Sequence, residues 1–111
     1  MKKKIRLILE ISTIIILILF NVFYDAGIVK TNSMEPALKV GSFVLYKKCD
    51  ASDVETGDIV LFKYEGRRIS HRVVSADERY IYTKGDALDE QDPPISKENI
   101  CSKLIFHTEK E

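Results

Sequence analysis

Apolar positions along the chain fall into two regimes. From Leu7 to Tyr24 the sequence LILEISTIIILILFNVFY is apolar, with a single acid, Glu10, near its start. Eighteen residues in helical form extend about 27 Å at 1.5 Å per residue, close to the hydrocarbon thickness of a bilayer. Glu10 falls in the first turn, where it can reach the headgroups or a neighbouring base. Phe20, Phe23 and Tyr24 suit the far interface. A secretory signal also pairs a basic start with an apolar run. This run exceeds the usual signal length and no clear A-x-A follows, so the pattern favours an uncleaved anchor.

After Tyr24 the periodicity shortens to that of strands. GIVK (27–30) is a brief β-prone run, and SFVLYKK (42–48) alternates with β-branched and aromatic residues. DASDVETGD (50–58) reads as a loop. DIVLFKY (58–64) and ISHRVVSA (69–76) flank the glycine turn EGRR (65–68) and predict a hairpin. RYIYTK (79–84) is a further strand, GDALDEQDPP (85–94) an acidic, proline-rich loop, ENICSKLIF (98–106) a last strand and HTEKE a polar tail. The pattern predicts a mainly β chain, with one N-terminal transmembrane helix followed by a small antiparallel β domain. Its divisions are a basic N-terminus (1–6), the helix (7–24) and a β-rich domain (25–111).

Size and charge narrow the picture. The chain has 111 residues, enough for one domain, and the part beyond the helix can bury roughly 60% of its unfolded surface. The 17 basic and 17 acidic residues balance, but Lys2, Lys3, Lys4, Arg6 and Glu10 sit at the start, leaving 13 basic and 16 acidic residues downstream. The basic cluster ahead of the helix places the N-terminus in the cytoplasm and the β domain outside. A mildly acidic domain lacks the basic stripe that nucleic acid requires. Cys49 and Cys101 can form a disulfide in an extracytoplasmic setting or remain two small hydrophobic side chains. They offer no metal-type spacing.

Three groups could carry chemistry. Ser33 stands in the turn TNSMEPALKVG, His71 in the strand after the EGRR turn, and Asp86 and Asp92 in the acidic loop. A serine hydroxyl needs a base to take its proton, and the base needs a group to orient it. Serine, histidine and aspartate fill these roles in any chain order. Each also has an ordinary reading, as a turn serine, a packed histidine or solubilising acids, and their spacing alone does not decide.

The local sequences decide more. SMEPAL (33–38) resembles the nucleophile motif of type I signal peptidases, usually Ser-Met-x-Pro-Thr-Leu. SHRVV (70–74) is similar to the base motif of that family's endoplasmic-reticulum-type branch, found also in archaea and some Gram-positive bacteria. The commoner bacterial branch has lysine at the histidine's place. TKGDALDEQD (83–92) resembles the branch's Thr-Lys-Gly-Asp box with its second aspartate six residues on, and VETGDIVLF (54–62) its Gly-Asp-x-x-x-Phe strand. The four stand in family order and cover most of Val29 to Leu104. Asn32 replaces the usual glycine before the nucleophile, Ala37 a threonine, Leu88 an asparagine and Cys101 a glycine. Asn tolerates left-handed backbone angles better than most residues.

The resemblance implies a coiled β-sheet domain of the signal-peptidase type and a membrane-bound serine endopeptidase that removes signal peptides from exported preproteins. It implies Ser33 as nucleophile, His71 as general base and then acid, and Asp92, in preference to Asp86, as the residue orienting His71. Asp86 would matter to the site in another way. Thr31 and the Ser33 amide would face the oxyanion, Pro36 would stiffen the turn, and Met34 would pack toward substrate, lipid or core. No cofactor is implied. The expected partners are signal-peptide-bearing preproteins and membrane lipid, with no nucleic acid. Two other readings compete: a catalytically inactive membrane-anchored β module or accessory subunit, and a self-cleaving repressor-type protease. The second needs a lysine where His71 stands.

Overall fold

The computed structural model describes residues 1–109; Lys110 and Glu111, the end of the expected polar tail, lie outside them. Helix α1 runs Lys2–Phe23, five residues earlier than its apolar stretch. The basic residues therefore join its first turns, and Arg6 Nε meets Glu10 Oε1 at 3.2 Å one turn on. By length and composition α1 can cross a membrane, and a signal sequence shares that character.

Seven strands follow: β1 (Tyr24–Ile28), β2 (Phe43–Lys48), β3 (Ile59–Tyr64), β4 (Arg67–Ala76), β5 (Tyr80–Lys84), β6 (Ile95–Ser96) and β7 (Ile100–His107). They form one antiparallel sheet in the order β1-β2-β7-β3-β4-β5-β6. The chain is mainly β, as its pattern predicts. Differences lie at the margins. β1 starts directly at the helix cap, because Tyr24 already pairs with Lys47. The β3–β4 turn is only Glu65–Gly66, both with positive φ (48° and 75°). Such a two-residue turn matches the strands' right-handed twist, so Arg67 and Arg68 belong to β4. β6 has two residues beyond Pro93-Pro94, too few for any period to reveal. A short 3-10 turn, Lys97–Asn99, delays β7 to Ile100.

The sheet curls on itself. Flat, β1 and β4 would lie four strand spacings apart, about 19 Å. Yet Asp25 of β1 accepts from Arg68 of β4 and from Ser102 of β7, each at 3.1 Å. The Tyr46 and Ser70 hydroxyls likewise meet at 2.7 Å, and burial pushes the Tyr46 phenol above its ordinary pKa. Two apolar clusters fill the curl. One holds Val60, Phe62, Val73, Ile81, Ile95 and Ile100; the other holds Met34, Leu38, Val44, Tyr46 and Ile59. Just beyond the end of β2, the Cys49 N–H donates to the Cys101 carbonyl of β7 at 3.1 Å, and both thiols are free.

Candidate active site

The serine turn is fastened from below. Met34 and Leu38 are each 2% exposed and both enter the second apolar cluster. The Leu38 N–H donates to the Met34 carbonyl at 2.8 Å and the Glu35 N–H to Asn32 at 3.2 Å. Of the destinations open to Met34, the core is the one it takes. Pro36 follows a cis peptide in the middle of this turn. Among the described residues Glu65 is the one non-glycine with positive φ, so Asn32 has no use for its left-handed tolerance. With Met34 and Leu38 sunk in the core, Ser33 is left partly exposed.

His71 comes to the serine from β4. It lies opposite the fully buried Val60 in register and is itself 7% exposed. The Phe62 ring stands edge-on to its imidazole, centroids 6.3 Å apart. His71 Nε2 lies 3.1 Å from Ser33 Oγ, and Nδ1 lies 2.6 Å from Asp92 Oδ2. An Nδ1–H donated to the carboxylate leaves the Nε2 lone pair directed at the hydroxyl, the arrangement a general base needs. Thr31 Oγ1 lies 3.2 Å from Ser33 Oγ, so that hydroxyl borders the space where a reacting carbonyl would sit.

The two aspartates separate by strand parity. Neighbouring residues of a strand face opposite sides, so His71 points inward and Arg72 does not. Arg72 Nε and Nη2 hold the two oxygens of Asp86 at 2.9 and 2.8 Å, and its Nη1 donates to the Gly57 carbonyl at 2.8 Å. These hydrogen bonds hold the Asp86 carboxyl below its ordinary pKa and raise that of the guanidinium. Ser33, His71 and Asp92 thus converge, and Asp86 stands beside them on Arg72.

Against known families, the chain matches the model described as "Signal peptidase, peptidase S26" over residues 2–99. The chain belongs to this signal peptidase family. No curated protein matches it. The matched stretch contains the serine turn, His71 and both aspartates.

In this chain the acidic loop is stapled onto the serine turn. The Ala87 N–H donates to the Ser33 carbonyl at 2.9 Å, and the Asp86 N–H to Met34 Sδ at 3.4 Å. Gly85 lets the two segments approach: a Cβ there would stand 2.7 Å from the Ser33 carbonyl oxygen and 2.9 Å from Leu88 Cδ1. Lys84 Nζ ties the loop down through the carbonyls of Gly85 and Leu88, at 2.8 and 2.6 Å.

Arg72, Thr83, Lys84 and Gly85 lie inside the motifs SHRVV and TKGDALDEQD, but the motifs give them no individual roles. Arg72 had a readable signal, since it adjoins the histidine and an acidic loop follows. Thr83 Oγ1 donates to Asp92 Oδ2 at 2.7 Å, and the Asp92 N–H returns to the Thr83 carbonyl at 2.8 Å. That pairing depends on a loop path that no local pattern encodes.

Proposed function

We propose that this chain is a membrane-anchored serine endopeptidase of the endoplasmic-reticulum-type, Ser-His-Asp branch, which removes signal peptides from exported preproteins. The observation that carries the reading is His71 bridging Ser33 and Asp92, at 3.1 and 2.6 Å, within a signal peptidase family chain. The imidazole of His71 takes the Ser33 proton as Oγ attacks the scissile carbonyl. Asp92 holds the ring in the required tautomer and stabilises the imidazolium that forms. The imidazolium then protonates the leaving amine, and the signal peptide remains as an ester on Ser33. A water activated by the same His71 hydrolyses that ester. The Ser33 N–H and the Thr31 hydroxyl serve the oxyanion; a donor in that role contributes about 10²–10³ in kcat.

Helix α1 acts as the anchor, with residues 1–6 cytoplasmic and the β domain (25–111) outside. Anchoring enzyme and preprotein in one bilayer raises the effective concentration of the cleavage site. The substrate binds extended beside a strand, with main-chain hydrogen bonds supplying affinity and small pockets selecting small side chains. Asp86 acts at one remove, through Arg72, and Met34 and Pro36 shape the serine turn.

The test is cleavage of a purified preprotein by the detergent-solubilised full chain. Ser33→Ala and His71→Ala are each expected to abolish cleavage while the fold, followed by circular dichroism, is unchanged. Retained cleavage in either variant would overturn the assignment.

A further inference from the structure

We infer that Thr83 is a positioning residue for the proposed reaction, acting through Asp92 to set the orientation of His71. The inference rests on the Ser33–His71–Asp92 reading above. Thr83 is wholly buried at 0% exposure, in β5, with the equally enclosed Val73 as its register partner. Most buried hydroxyls are hydrogen-bonded, and this one donates to Asp92 Oδ2 at 2.7 Å. The same oxygen receives His71 Nδ1 at 2.6 Å. The Asp92 N–H bonds the Thr83 carbonyl at 2.8 Å. Side chain and backbone of Thr83 therefore grip the side chain and backbone of Asp92 in a closed ring of two hydrogen bonds.

That ring answers a mechanical problem. Asp92 belongs to the acidic loop between Gly85 and Pro94, outside every strand. A carboxylate on a loop can rotate about its side-chain bonds, and any rotation turns the acceptor away from Nδ1. Threonine is stiff at its first side-chain torsion because its Cβ is branched, and its strand is fixed in the core. Thr83 thereby lends strand rigidity to a loop acid. Reaction geometry is exacting enough that about 1 Å of misplacement can cost 10²-fold in rate.

Thr83→Val keeps the shape and removes the hydroxyl. In the full chain it is expected to lower kcat roughly 10–10²-fold with KM nearly unchanged, because the substrate does not touch Thr83. Thr83→Ser, which restores a hydroxyl, should recover kcat to within a few-fold. Proton NMR of 15N-histidine-labelled protein reports orientation independently of activity. The chain has two histidines, so His107→Gln leaves His71 as the one labelled imidazole. The downfield Nδ1 proton of His71 should persist in Thr83→Ser and move upfield or vanish in Thr83→Val. A Thr83→Val protein with wild-type kcat per folded molecule overturns the inference, even if it is less stable, since packing alone would then explain the residue. Failure of Thr83→Ser to rescue overturns it too. Failure of the catalytic reading would show as cleavage by Ser33→Ala, whereas failure of this inference would show as an unmoved His71 signal in Thr83→Val.

Discussion

Arg72 holds Asp86 by two parallel hydrogen bonds of 2.9 and 2.8 Å, one residue along β4 from the histidine that holds Asp92. Adjacent residues of one strand thus take one aspartate each. The pairing has a pH signature. Arg72 keeps the Asp86 carboxyl below its ordinary pKa, so its contribution to stability is complete above the unfolded value of about 3.9 and is lost as pH falls through the lower folded value. Arg72→Gln is expected to lower Tm at pH 7 by a few degrees, roughly 4–8 °C for each kcal/mol lost. The gap from wild type should then narrow below about pH 4. Thermal melts between pH 2 and 7 check it; a gap that widens on acidification contradicts the pairing.

The two aspartates should part in kinetics as they do in geometry. Asp92→Asn keeps the shape but spoils the imidazole's orientation, and a loss of about 10⁴ in kcat is expected for such a change. Asp86→Asn leaves His71 and Asp92 in contact and should cost much less, with a fall in Tm as its main effect. Steady-state cleavage of a preprotein measures both. Equal losses would show that the division by strand parity does not carry over to catalysis.

Gly85→Ala places a methyl 2.7 Å from the Ser33 carbonyl oxygen, a distance that forces backbone to move. Loss of the staple between Ala87 and Ser33 should reduce kcat by about 10²-fold, the scale of a misplaced nucleophile. Hydrogen exchange at the Ala87 amide should rise in parallel. Unchanged protection at that amide would mean the loop does not position the serine turn.

Met34 gives a stability counterpart. It is 2% exposed within the second apolar cluster, so Met34→Ala should cost about 2–5 kcal/mol through lost burial and the cavity left behind. Denaturant unfolding of the solubilised chain measures this. A cost under about 0.5 kcal/mol, typical of surface positions, would place Met34 outside the core.

The strands were legible because β2, β3 and β4 are short runs rich in β-branched and aromatic residues, bounded by turn residues. The motifs around Ser33, His71 and the aspartates could be read for the same reason: each is local, a turn, a strand segment or a loop. What the sequence withheld is non-local. The two residues of β6 carry no period. Thr83 opens the Thr-Lys-Gly-Asp motif, but its partner is hidden until the loop folds back and brings Asp92 to its hydroxyl. The curl of the sheet brings Asp25 to Arg68, 43 residues away, a contact that no window reaches. Strand parity could have separated Asp86 from Asp92, but only once Arg72 was seen to face the loop.

The central claim is that Ser33, activated by His71, forms a covalent link with the substrate. Acid quenching of the purified full chain during preprotein cleavage, followed by digestion and mass spectrometry, tests it most directly. The account predicts a signal-peptide ester on the peptide containing Ser33, absent from both Ser33→Ala and His71→Ala. Continued cleavage by Ser33→Ala, or an ester on any other residue, would contradict it.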